Sequence, residues 1–410
     1  MSFKKKTNQV IFISLAILVC GFIIYYAFSM MNGNNIEYNI NEIKKGEENK
    51  TEVKSKINNI NDEDLVKIEN PNTIIPITHI TTPKEVKALY VSSWVAGSKN
   101  FLNSLILIID KTELNTIIID VKDSTGRVSF DMNIPEVQKE GSIEKRISNV
   151  RALTNMLHEK NIYIIGRVSV FQDPYMAKKH PEWAVTKTSD GAVWKDRKGL
   201  SFLDPAKKDV HDYILAISKG AYEEGFDEIN FDYIRYPSDG NISDINYHLK
   251  EGETRSDNIE KFFKYLSTEI KKDKNIPISA DLFGLTTEAQ DDMGIGQVWE
   301  KAIPYFDFVC PMVYPSHYPS GYAGYKNPAL YPYEVVNKAL VSAVNKTKSI
   351  NQDISKIRPW LQDFDLGATY TKDMVKAQIK AVYDNNLNSW MLWDPRNKYT
   401  PEALKLETIN

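Results

Sequence analysis

FDEINFDYIRYP, residues 226–237, reads as a strand that runs into an acid. Ile229 and Phe231 can pack within a sheet, which leaves Asp232 where strand gives way to loop. A carboxylate is costly to bury without partners, so Asp232 needs a cation such as Arg235 or an open cleft. A turn residue or a structural ion pair is the alternative reading.

Seven more segments share this form: KALYVSSWVA (87–96), NTIIIDVKDS (115–124), NIYIIGRVSVF (161–171), IPISADLFGL (276–285), FDFVCPMVYP (306–315), IRPWLQDF (357–364) and NSWMLWDP (388–395). Their β-branched and aromatic residues favour strands, and their nearly continuous apolar character fits a parallel sheet covered on both faces. Helical segments alternate with them, at about 142–159, 257–271 and 371–385, and after Asp204, which can cap a helix with Pro205 in its first turn and Gly225 at its end. The first strand lacks a glycine-rich phosphate turn, since Trp94 and Ala96 precede Gly97. The expected fold is therefore α/β, a closed (β/α)8 TIM barrel.

Polar and aromatic residues gather at the carboxyl ends of these strands, the rim on which barrel enzymes build their sites. They include Asp120, Lys122 and Asp123 after IIID, Arg167, Asp232 and Arg235, Asp281, Tyr314, Asp363 and Asp394. Any single Asp could merely cap the following helix. Asp232 and Asp281 end neighbouring strands, which lie about 4.8 Å apart in a sheet, so both can face one cleft. Glycoside hydrolysis needs such a pair, one protonating the leaving oxygen while the other attacks or activates water. Asp363 is the best replacement partner, and Glu288, Asp291 and Asp292 lie in a loop from which an acid could swing. Trp94, Trp194, Tyr236, Tyr314, His317, Trp360 and Trp393 are candidate substrate contacts, because aromatic rings cover the apolar faces of sugars; core packing competes for each ring. The turn-rich excursions at 180–205 and after the sixth strand could wall a groove.

Outside the barrel, VIFISLAILVCGFIIYYAFS (10–29) carries no charge and follows Lys4, Lys5 and Lys6. A membrane-spanning helix needs about 20 apolar residues and keeps its lysines inside. The expected organisation is a cytoplasmic basic segment (1–9), a single-pass transmembrane anchor (10–30), a stalk rich in Asn, Glu and Lys (31–81) and an extracellular barrel domain (82–410). With 51 basic and 54 acidic residues, the chain does not suit nucleic-acid binding by bulk charge. Two cysteines and six scattered histidines offer no soft-metal cluster, so no metal or cofactor is expected.

VKDSTG, RVSVFQDP, NFDYIRYPSDG, SADLFG and CPMVYPSHYPSGYAG, in that order, resemble a bacterial glycoside hydrolase family once described as a domain of unknown function. The resemblance spans roughly Ala88 to Asp394. It implies a barrel distantly similar to alpha-amylase-like glycosidases, acting on an oligosaccharide or polysaccharide. It also implies that Asp232 is the nucleophile, Asp281 stands where those enzymes usually carry a Glu acid, and Asp363 is the late stabilising Asp, without the histidine that usually precedes it. The expected function is cleavage of O-glycosidic bonds in a cell-wall or exported polysaccharide. The competing expectations are a non-catalytic carbohydrate-binding or envelope-assembly protein and, less favoured by the scattered histidines, a metal-dependent deacetylase.

Overall fold

The structure, a computed structural model, describes residues 76–272 and 274–406. Eight parallel strands close into a barrel: β1 (Lys87–Val91), β2 (Thr116–Lys122), β3 (Tyr163–Ser169), β4 (Glu228–Asp232), β5 (Ile278–Phe283), β6 (Phe308–Met312), β7 (Trp360–Gln362) and β8 (Trp390–Trp393). Each lies inside the segment expected for it. Closure occurs where Lys87 pairs with Trp390 and Leu89 with Leu392.

Strand alternation sorts the side chains into two sets. In β4, Ile229 and Phe231 join the outer core beneath the helices, while Glu228, Asn230 and Asp232 turn inward. In β5, Ile278, Ala280 and Leu282 pack outward, and Ser279 and Asp281 turn inward. A second apolar cluster, including Tyr90, Ile118, Tyr163, Ile165, Cys310 and Trp360, fills the barrel interior. Gly166 faces outward at a point with no room for a side chain: a Cβ there would lie 2.8 Å from Val121 Cγ2 and 2.9 Å from Phe226 Cδ1.

The long helices among the described residues are α1 (Lys99–Lys111), α2 (Val150–Glu159), α3 (Lys208–Glu223), α4 (Arg255–Lys271), α5 (Pro332–Ser349) and α6 (Lys372–Asp384). Two start later than the sequence suggests. The segment before α2 instead bridges Val128 through Ile143, and Asn149 caps the helix by accepting from Ala152 N at 3.0 Å. Asp204 does not cap α3; it accepts from Ala206 N at 2.9 Å and faces His248 Nδ1 at 2.6 Å. After β1 the chain does not remain extended but turns into a short helix, Ser93–Ala96, capped by Ser92.

Two further expectations are corrected. Among the described residues no helix is long and apolar enough to cross a membrane. The segment 10–30 and nearly all of the stalk lie outside the described residues. Membrane attachment and single-pass placement with an extracellular domain are therefore not carried forward.

Candidate active site

The inward polar residues of β2 to β5 meet at the carboxyl end of the barrel. Arg167 stands between two acids. Its Nη1 donates to Asp120 Oδ1 at 2.6 Å, and its Nη2 donates to Asp232 Oδ2. Tyr90 completes the first contact, donating its hydroxyl to Asp120 Oδ2 at 2.6 Å. The guanidinium also lies over the rings of Trp393 and Tyr90, which stack on each other at 4.0 Å. This cage commits both terminal nitrogens of Arg167 to carboxylates, while its Nε is buried without a hydrogen-bond partner. Burial raises the Asp120 carboxyl above its ordinary range, against the opposing pull of Arg167.

Asp232 has a second donor in the backbone. The N–H of Tyr233 reaches Asp232 Oδ1 at 2.6 Å, and Tyr233 adopts φ +53°. A bulky residue in the left-handed region stores strain, and such strain gathers at functional sites.

Asp281 sits in a different environment. Asn230 Nδ2 donates to its Oδ1 at 2.9 Å and Trp360 Nε1 donates to the same oxygen at 2.7 Å. Burial holds its carboxyl well above the usual range, and the charge of Asp232 adds to that shift. Arg167 and the two hydrogen bonds oppose it without overcoming it. Tyr314 is buried beside the same groups, and its phenol is likewise pushed up by burial.

Other predicted residues fall elsewhere on the rim or beneath it. Asp363 accepts from Thr400 N at 2.8 Å and from Thr400 Oγ1 at 2.7 Å, and burial raises its carboxyl to about 7. Asp394 accepts from Arg396 N and is raised to about 6, again chiefly by burial. Both organise the loop after β8. Trp94 is exposed on the short helix after β1, and Asp123 pairs with Arg146. His317 is exposed, edge-on to Tyr314 and Phe364. Arg235 lies over the rings of Tyr233 and Phe283 and donates to Tyr236 O at 3.0 Å.

Four predicted contacts are buried and committed to protein partners. Lys122 pairs with Asp173 at 2.9 Å and donates to Ser169 O at 2.6 Å. Trp194 is packed with Val185, Phe202 and Ile245 inside the excursion it was expected to present. Tyr236 accepts from Asn258 Nδ2 at 2.6 Å. Trp360 serves Asp281 through its indole N–H rather than offering a ring face to solvent. The swinging acids are held as well: Glu288 by Tyr322 and Lys338, Asp292 by Arg255. Asp291 accepts from Met293 N at 3.0 Å.

Tyr90, Asn230 and Arg146 escape the reading of strand ends. The first two could have been found by extending the alternation of β1 and β4 back from the rim, since a polar residue at every second position marks the inner face.

Residues 88–399 match the family model described as "Putative glycosyl hydrolase domain". The chain belongs to this family. No curated protein matches it. Among solved structures, a hypothetical protein from Ruminiclostridium thermocellum ATCC 27405 is 32% identical over 50% of this chain and 98% of its own, with a TM-score of 0.44. The PgaB (BpsB) glycoside hydrolase domain from Bordetella bronchiseptica is 12% identical over 80% of this chain and 100% of its own, with a TM-score of 0.57. That likeness speaks to the fold alone. TtGalA, an alpha-galactosidase from Thermus thermophilus, is 11% identical over 80% of this chain and 61% of its own, with a TM-score of 0.48. The family and the closed barrel together make this a glycoside-hydrolase-like protein, consistent with action on carbohydrates.

Proposed function

We propose that this protein hydrolyses O-glycosidic bonds of an oligosaccharide or polysaccharide, with Asp232 and Asp281 as its two working carboxylates. One observation carries the reading: two buried acids on adjacent strands have different partners, Asp232 a guanidinium and Asp281 two neutral donors, with the Asp281 carboxyl raised by burial. Splitting a carboxylate pair in this way prepares one member as base or nucleophile and the other as acid. Both donors to Asp281 address Oδ1, which leaves Oδ2 to carry the proton.

In the proposed reaction the bond between the anomeric carbon and the bridging oxygen breaks. The Asp281 proton passes to the departing oxygen, and Asp232 supplies electron density to the anomeric carbon, directly or by activating water. Water provides the new anomeric hydroxyl, and its remaining proton restores the acid. Arg167 pairs with Asp232 and aims it, Tyr90 and Asp120 fix Arg167, and Asp363 anchors the neighbouring loop. A cell-wall or exported polysaccharide was expected partly because of the membrane tether; without it, no one glycan is singled out as substrate.

The test is reducing-sugar release from a panel of glucans, galactans, mannans, amino-sugar polymers and peptidoglycan. General acid and base groups contribute about 10²–10⁴-fold, so Asp232→Asn and Asp281→Asn should each lower turnover by that order. An aryl glycoside with a good leaving group should partly rescue Asp281→Asn, because it needs less protonation, but should not rescue Asp232→Asn. Undiminished cleavage by Asp232→Asn would remove the assignment. Binding of a polymer by a wild-type chain that turns nothing over would favour the non-catalytic reading.

A further inference from the structure

All seven tryptophans of the chain lie among the described residues, and Trp94 alone is exposed, at 51%. It stands on the helix Ser93–Ala96, directly after β1 and on the same rim as Asp232. A lone exposed apolar residue needs no explanation by itself; what sets Trp94 apart is its place on the rim and the way its ring is held.

The ring is held from behind. Arg146 lies 4.8 Å from the Trp94 ring centroid, and its side chain is almost wholly buried. That guanidinium donates to Asp123 Oδ2 at 2.5 Å, to Ser93 Oγ at 3.0 Å and to Glu144 Oε2. The backbone is also tight here: a Cβ on Gly97 would lie 2.1 Å from Arg146 O, so the turn after the helix accepts only glycine. Arg146 is thus committed to protein partners and held against the indole.

We propose that Trp94, backed by Arg146, is an outlying sugar-binding subsite for a further unit of the substrate chain. The inference rests on the hydrolase reading and deepens it, because it makes the substrate an extended glycan. Its place on the rim that carries the reacting centre supports it. Asp123, which holds Arg146, is three residues beyond Asp120, and Asp120 is joined through Arg167 to Asp232. The electrostatics restrict the occupant. A cation already lies against one face of the indole, so a second cation on the other face meets repulsion, whereas the weakly polar C–H face of a neutral sugar does not. Glu144 gives one oxygen to Arg146, and its side chain is 41% exposed.

The experiment combines affinity electrophoresis and kinetics on the same polysaccharide panel. Trp94→Ala should reduce retardation by neutral polymers on the order of tenfold, the scale of one aromatic contact. Trp94→Phe should recover most of it, and Leu330→Ala, at another exposed apolar position, should leave it unchanged. In kinetics, the loss in kcat/KM for Trp94→Ala should grow with oligosaccharide length and reside mainly in KM. Equal retardation of Trp94→Ala and wild type, no retardation of wild type by any polymer, or a loss independent of length would each overturn the subsite. Absence of turnover with Trp94-dependent retardation would instead sink the hydrolase reading and leave the subsite standing.

Discussion

Arg167 must reach two carboxylates at once, and the chemistry of its side chain explains why no other cation would do. A planar guanidinium presents separate donors along fixed directions, whereas an ammonium is a single compact charge. With Asp120 on one nitrogen and Asp232 on the other, Arg167→Lys can serve one acid well and must leave the other underpaired. The expected result is turnover lowered at least about tenfold together with destabilisation of a few kcal/mol, an effect on the scale of breaking a buried pair. Thermal melts and steady-state kinetics on one preparation check it, and a variant with wild-type values in both would remove the positioning role. Asp232 and Asp281 are legible in the sequence because each interrupts an apolar run just before a loop. Tyr90 and Asn230 become legible only when the alternation is carried back from those rim acids, because a phenol or an amide inside a strand is an ordinary occupant until the inward face is known.

At the level of elements, the strand ends are more informative than the strands. Asp363, after β7, fastens the loop after β8 by accepting twice from Thr400, and burial nevertheless lifts its carboxyl to about 7. A carboxyl raised from 3.8 to about 7 holds its proton more tightly when folded. Its contribution to stability is therefore complete below its unfolded value and is lost as pH rises through about 7, with a ceiling of about 4 kcal/mol. Asp363→Asn should flatten the fall of Tm between pH 4 and pH 7 relative to wild type. Asp394, raised to about 6, should leave a smaller residual slope. Parallel curves for the two proteins would show that Asp363 does not titrate in this window. The sequence marked Asp363 as a rim acid but not as a latch, because Thr400 lies 37 residues away and no local pattern links them. Helix starts are misjudged for a related reason. Asp204 has the residue type of a cap, but His248, brought in by a distant loop, claims its carboxylate.

Across the whole molecule, the barrel separates its working end from the far end, where another buried charge pair lies. Arg358, fully buried, donates through Nη1 to Glu228 Oε1 at 2.8 Å. Ser279 and Tyr163 also donate to Glu228, at 2.6 Å and 3.1 Å. Glu228 begins β4 and Asp232 ends it, so one strand carries both pairs at opposite ends. The eight strands were legible because each outward face is apolar; this inner pair was not, because Arg358 and Glu228 are 130 residues apart and each resembles a surface charge beside a strand. Removing one partner of such a pair leaves an uncompensated buried charge and costs about 3–5 kcal/mol, whereas replacing both can be nearly neutral. Arg358→Met and Glu228→Gln should therefore each lower the urea midpoint strongly, and the double variant should recover much of the loss, giving a coupling energy that a set of independent packing defects would not produce. Because Asp232 and Asp281 keep their own partners at the other end, the double variant should retain the wild-type KM well below its melting temperature. Additive losses would mean that the charges are not coupled, and a changed KM would mean that the interior transmits strain from one end of the barrel to the other.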